Sequence, residues 1–223
     1  VRPPLSKPEG LAKPEGDSVQ TIDDLELLPR IRWDSRFHDE WTPGEPGATE
    51  AFEDFIESGL RDYASDRDRP DRAGTSRLSP HLHFGEISPM QIAWALEERV
   101  HQSGDSARSA GADSFLREIG WREFSQHLLF HFPDMPERNL NPRFDAFRWD
   151  DEDPASIRRW QRGRSGIPII DAGMRELWNT GSMHNRVRML VASFLVKHLR
   201  IDWRAGERWF WDTLVDADPA SNP

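Results

Sequence analysis

From about Thr49 onward, apolar residues recur three and four positions apart, and this spacing limits what the chain can become. Ala51, Phe52, Phe55, Ile56 and Leu60 form one stripe, and Ile92, Leu96 and Val100 form another. An amphipathic helix needs such a stripe to bury one side. No alternating pattern of useful strand length is present and no segment repeats, so the expected class is all-α, a multi-helix domain. At 223 residues the chain is long enough to bury a substantial core. It has ten Trp and twelve Phe against a single Tyr, and most of the Trp are expected to serve as core packing.

Two later segments carry more than a core stripe. In 113–132, Leu116, Ile119, Leu128 and Leu129 are among the apolar positions, while Glu118, Trp121, Arg122 and Ser125 follow three-and-four spacing on a second, chemically mixed stripe. In 182–200, Met183, Val187, Leu190, Val191, Phe194 and Leu195 are expected to face inward, with Asn185, Arg188 and Ala192 along another side. Pro133, Pro136, Pro142 and Pro154 punctuate the stretch between them. Gly163, Gly166 and Pro168 precede a helix expected at Ile169–Trp178.

The N-terminal stretch differs. Prolines at 3, 4, 8 and 14, glycines at 10 and 16 and few apolar residues make residues 1–26 an interdomain linker or disordered tail, with the helical domain expected over 27–223. The absence of Cys excludes disulfide frameworks and Cys-based metal or redox sites, and suits a reducing cytoplasm. The chain lacks an initiator Met and any apolar stretch of signal or membrane-spanning length, so it reads as a cytoplasmic fragment with no membrane partner. The net charge of -10 argues against a nucleic-acid partner on average, but charge acts locally. Between Arg158 and Arg204, ten Lys and Arg stand against three acids. Such a segment is either a footprint for phosphate or a solvated helix face.

Three short constellations carry chemistry. Gly74-Thr75-Ser76-Arg77-Leu78-Ser79-Pro80 joins a flexible glycine, three hydroxyls and a guanidinium in one turn, which can wrap phosphate or simply cap a helix. Thr180 to Met189 opens a helix with the Asn185 amide and two arginines; Arg188 can hold a carboxylate, or both arginines can be solvated. Asp216-Ala217-Asp218-Pro219-Ala220-Ser221-Asn222 offers closely spaced carboxylates for a salt-bridged ligand site, with too few acids for calcium. His127 with His131, and His81 with His83, have pair spacing but no third ligand nearby, so they read as packed or surface histidines and no metal is expected.

Taken in order, Tyr63…Arg67-Asp68…Pro70, Gly74–Pro80, Glu118…Trp121-Arg122-Glu123-Phe124, Gly166-Ile167-Pro168…Asp171-Ala172-Gly173-Met174-Arg175, Met183–Arg188 and Asp216–Asp218 resemble the photolyase/cryptochrome family. The likeness runs from about Leu27 to the last residue and is to the FAD-binding helical domain of a class I cyclobutane pyrimidine dimer photolyase. It implies a flavoenzyme whose reduced FAD, excited by blue or near-ultraviolet light, passes an electron to a flipped-out pyrimidine dimer in DNA and recovers it once the ring has split. Residues matching Tyr63 and Thr75, Ser76, Arg77, Leu78 and Ser79 hold the FAD phosphates. Phe115, Asn185, Arg188, Asp216, Ala217, Asp218 and Asn222 match other cofactor-binding positions, with Arg188 expected to bridge Asp216 and Asn222 to face flavin N5. Glu118 matches the acid that hydrogen-bonds the dimer and Trp121 its stacking wall. Arg67, Arg122, Ser125, Asn185 and Arg186 match DNA contacts, and Trp149 and Trp203 match distal and middle members of the chain that photoreduces flavin.

The resemblance also implies what lies outside the sequence: an N-terminal α/β domain with an antenna chromophore of unknown type, C-terminal helices that complete the flavin pocket, and a monomer at full length. Two positions depart from the pattern. Ser182 stands where many members have Trp, and Phe115 where some have Trp. A cryptochrome-type blue-light receptor signalling to protein partners is the main alternative; Glu118, Trp121, Met183 and Asn185 favour repair. A (6-4) photolyase would have His-His where His184-Asn185 stands, and a flavin-free helical DNA-binding module would be colourless.

Overall fold

The computed structural model describes residues 3–5, 10, 23–150 and 153–222. Among these, the ordered elements are helices and no strand occurs, as the spacing of apolar residues predicts. Among the described residues the α-helices are α1 (Phe37–Glu40), α2 (Glu45–Asp54), α3 (Tyr63–Asp66), α4 (Ser79–His83), α5 (Pro89–Arg99), α6 (Ser106–His131), α7 (Pro154–Gln161), α8 (Pro168–Thr180), α9 (Asn185–Ser193) and α10 (Trp203–Thr213). Most of the linker expected over residues 1–26 lies outside the described residues; Asp23–Leu25 form a single 3-10 turn.

Local sequence explains where several helices begin. Ser88 accepts from the Gln91 backbone while the Gln91 side chain accepts from the Ser88 backbone, so two otherwise unpaired N–H groups at the start of α5 are satisfied reciprocally. Asp105, Asp153 and Asp202 cap α6, α7 and α10 in the same sense, each carboxylate accepting first-turn N–H groups. Gly181 ends α8 at φ +68, a left-handed conformation, and a Cβ there would press into Val215 and the Phe37 ring.

The buried residues form two clusters. The first gathers Phe52, Phe55, Ile56 and Leu60 from α2 and the wider turn after it, Leu78, then Ile92, Leu96, Val100, Phe115 and Ile119 from α5, its C-cap and α6. The second gathers Trp160, Ile170, Met174, Leu177, Met183, Val187, Val191, Leu195 and Phe210 from α7 to α10. Both stripes read from the first half, and most of that read from 182–200, are thus core. Leu190 is the exception: it lies exposed on the flank of α9, outside the side that Val187 and Val191 bury. The segment ahead of α2 reaches across to the second half, where Trp33 stacks on Trp178 at 5.1 Å and the Trp41 indole donates to the Thr180 carbonyl at 2.7 Å.

α6 links the two chemistries. Its first half buries Gly111, Ala112, Ser114, Phe115 and Ile119, while from Trp121 onward its aromatic rings are turned to the surface. Leu128 and Leu129 are only half-buried there.

Candidate functional site

Between the two clusters lies a cavity of about 840 Å³ whose walls come from both halves of the chain. One wall is the turn 75–79 with Tyr63 and Phe115; the opposite wall is Met183, His184, Asn185 and Arg188 from the start of α9; Asp216, Asp218 and Asn222 line it as well, and Glu118, Trp121, Arg122 and Ser125 line it from α6. Segments far apart in sequence are therefore brought to one space.

The turn is held from both sides. Arg77 sits at φ +54, an uncommon conformation for a residue with a Cβ, while its guanidinium lies 4.5 Å from the Trp41 ring centroid and 3.3 Å from Glu40. Leu78 is fully buried beneath it. Ser79 donates its hydroxyl to Asp216 at 2.6 Å, and the exposed Thr75 faces the cavity. Tyr63 packs edge-on against Phe55 and Phe115; burial pushes its phenol up to about 12, so it stays a neutral donor at any working pH.

The two acids near the chain end are handled differently. Asp216 receives both carboxylate contacts from one Arg188 nitrogen at 3.0 Å, and the Arg188 Nε donates to the Met183 carbonyl at 2.7 Å. The bridge expected from Arg188 to Asp216 is thus present, with a charge-assisted geometry that suits a nearly buried carboxylate. Asp218 is held by neutral donors: the Gln126 amide at 3.0 and 3.2 Å, and the backbone N–H groups of Ala220 and Ser221 at 2.7 and 3.0 Å. Its own N–H donates to Asn222 Oδ1 at 2.6 Å, which fixes the Asn222 side chain. Ala217 packs against the second core cluster and is not on the cavity wall.

At the rim, Arg67 pairs with Glu118 at 2.7 Å and lies over Tyr63, and Arg186 pairs with Asp68 at 2.9 Å. Arg122 donates to the Leu82 carbonyl at 3.2 Å and to Glu123, and the Ser125 hydroxyl donates to the Trp121 carbonyl. Trp121 is 64% exposed with its ring against Phe124, an apolar plate facing open space beside the cavity. Trp149 and Trp203 lie elsewhere: Trp203 donates to Asn139 at 3.0 Å and Trp149 packs on Phe147.

Several residues on or just behind the wall were not singled out in the sequence. Gln126 sits one turn beyond Arg122, so helical spacing could have found it, but its partner is 92 positions away. Trp41 and Glu176 line the cavity itself; burial raises the Glu176 carboxyl above its usual range. His83, expected to be packed or superficial, lines the cavity with its Nδ1 at 3.8 Å from Asp218, whereas His81 is buried against Glu86. Burial lowers the His184 imidazole below its usual range. Among the described residues no three His, Cys, Asp or Glu are grouped to hold a metal ion, and no helix is long and apolar enough to cross a membrane.

The donor set suits a dinucleotide with a flavin: hydroxyls on a tight turn for phosphate, a paired acid and arginine, an oriented amide, and aromatic faces. Comparison with known proteins agrees. Residues 115–223 match the model of the FAD binding domain of DNA photolyase. The chain is 52% identical over 98% of its length to the deoxyribodipyrimidine photo-lyase of Agrobacterium fabrum, covering 45% of that protein. It is 44% identical over 80% of its length to Cryptochrome-2 of Arabidopsis thaliana, covering 29% of it. A bacterial class III photolyase from Agrobacterium tumefaciens superposes with a TM-score of 0.86 at 51% identity, over 95% of this chain and 43% of that one. The sequence-based expectation of class I therefore gains no support from this neighbour, whose description gives class III. The chain spans about half the length of the curated photolyases it matches.

Proposed function

The chain belongs to the photolyase/cryptochrome family through its FAD-binding domain, and from that premise we propose that it serves light-dependent repair of cyclobutane pyrimidine dimers in DNA. The observation that carries this reading is the single cavity in which the 75–79 turn, the Arg188–Asp216 pair and Asn222 share walls with Glu118 and Trp121. A cofactor and a flipped-out base would there be neighbours.

Reduced FAD, when bound and excited by blue or near-ultraviolet light, would supply the electron that opens the cyclobutane ring. The protein's part is placement. Thr75 and Ser76 offer hydroxyls, and the backbone of the 75–79 turn offers N–H groups, to the two phosphates, while Ser79 spends its hydroxyl on Asp216. Arg188 fixes Asp216 in place, so that this carboxylate and the Asn222 amide present set hydrogen-bonding atoms to the flavin side. Phe115 closes the apolar floor beside Tyr63.

For the lesion, Trp121 supplies a stacking face and Glu118 an acceptor or donor for the pyrimidine carbonyl and N–H edge. Arg122 and Asn185 on the cavity wall, Arg67, which pairs with Glu118, and Arg186, which pairs with Asp68, would meet phosphates of the flanking strand. Trp149 and Trp203, each held by its own partners, are proposed as relay residues for photoreduction. The lack of cysteine fits work in a reducing cytoplasm. A signalling role of the cryptochrome kind is the second reading, favoured by the 44% identity to a plant cryptochrome.

The test is to reduce the purified protein, add an oligonucleotide containing a thymine dimer, and count dimers with and without blue light. Loss of dimers only in the light is expected. FAD bound with no light-dependent loss would reject repair and leave signalling.

A further inference from the structure

Four charged side chains at the cavity rim form one chain of ion pairs that joins three parts of the fold. Glu118 of α6 pairs with Arg67 at 2.7 Å; Arg67 approaches Asp68 at 4.0 Å; Asp68 pairs with Arg186 of α9 at 2.9 Å. Two acids thus cancel two arginines. Glu118 lines the cavity, and His184 and Asn185, which precede Arg186, line it too, so the chain runs along the cavity mouth.

Asp68 is the member with no assigned part. It belongs neither to the cavity wall nor to the core, and its carboxylate is 45% exposed. It presents an anionic oxygen to the Arg186 Nε in the geometry a phosphate oxygen would use. The Arg186 guanidinium beside it holds its carboxyl below the usual carboxylate range, so the mimic stays charged at neutral pH. A pair this exposed is weak and exchangeable, because water and salt screen it. It can therefore be displaced by a real phosphate while still competing with one.

We propose that Asp68 is an internal phosphate mimic: in the DNA-free protein it occupies Arg186, and so lowers the affinity for the DNA backbone whatever the sequence or damage. The proposal rests on the repair reading, because it takes Arg186 to be a phosphate contact. Displacement of Asp68 moves no atoms covalently; one anionic oxygen replaces another on the guanidinium. Because phosphate contacts carry no base information, the device sets overall affinity and leaves discrimination to the lesion-facing residues. Its use would be in search, where tight binding to intact duplex delays arrival at a dimer.

Binding of undamaged and dimer-containing duplexes, followed by fluorescence anisotropy over a range of salt, tests this with D68N, R186A and the double variant. D68N is expected to tighten both duplexes by the same factor, roughly three- to fivefold near physiological salt, and to steepen the salt dependence by about one counterion. In the R186A background the gain should vanish, which separates loss of a specific competitor from a general change in net charge. A D68N protein that binds no tighter than wild type, or a gain that persists without Arg186, would overturn the inference while leaving the repair reading intact. Absence of DNA binding by every variant would overturn both.

Discussion

At the residue scale, the chemistry follows from how each polar group is satisfied. Asp216 and Asp218 are two positions apart and almost equally buried, yet one is neutralised by Arg188 and the other held only by uncharged N–H donors and the nearby His83. Removing a buried carboxylate's donors is costly, which explains why Gln126 and two backbone amides converge on Asp218. Trp121 is the reverse case: a large ring left in water, where it adds little to stability. Trp121→Ala should therefore change the unfolding free energy by less than about 0.5 kcal/mol. It should nevertheless reduce the preference for dimer-containing over intact DNA by about tenfold, the value of a lost stacking face. Equal loss of binding to both duplexes, read in the same titration, would remove Trp121 from the lesion wall. Residue types and spacing made most of the wall legible in the sequence. The pairing of Arg188 with Asp216 is implied by the likeness to the family, whereas Glu118 and Trp121 announce themselves by helical period. Gln126 and His83 do not, because an amide or imidazole gains its meaning only from a partner that folding brings near.

At the element scale, periodicity located the helices, and their ends depended on caps and turn geometry. α8 shows why. The segment Ser165–Ile167 ahead of it folds over Asp171, whose carboxylate accepts from the Ser165 N–H at 2.7 Å, the Ser165 hydroxyl at 2.6 Å and the Gly166 N–H at 3.0 Å. Burial works against ionisation of this carboxyl, but the hydrogen bonds outweigh it and hold the group below the usual carboxylate range. Because the folded-state value is depressed, the contribution is present above the unfolded value near 4 and is lost as pH falls through the folded value. Asp171→Asn should lower stability by about 1 kcal/mol at pH 7, after allowance for solvent screening, with the deficit shrinking in acid below about pH 4. Urea unfolding at several pH values measures this; a deficit that stays constant through acid would mean the charge on Asp171 is irrelevant. Leu190 shows the limit of spacing as a guide. It is apolar and three positions from Val187, yet it sits on the outer flank of α9 and is exposed. Spacing tells which positions share a side of a helix, but not how wide a side the neighbouring elements cover.

At the scale of the whole molecule, two cores meet across a cavity, and function depends on that division. Each half supplies what the other lacks: the hydroxyl turn comes from the first, the Arg188–Asp216 pair from the second, and Ser79 ties them by donating to Asp216. Trp33 and Trp41, stacked on Trp178 and hydrogen-bonded to Thr180, fasten the beginning of the first half onto the second. The all-helical class was legible because helices bury stripes, and the order of motifs pointed to the family. That the motifs share one cavity was not legible, because it depends on contacts such as Ser79 to Asp216, 137 positions apart. The central claim is that this cavity holds FAD. A crystal structure of the protein with FAD tests it most directly. Phosphate density against Thr75 to Ser79, with the flavin ring toward Asp216 and Asn222, is the expected result. FAD bound elsewhere, with this cavity filled only by water, would contradict the account.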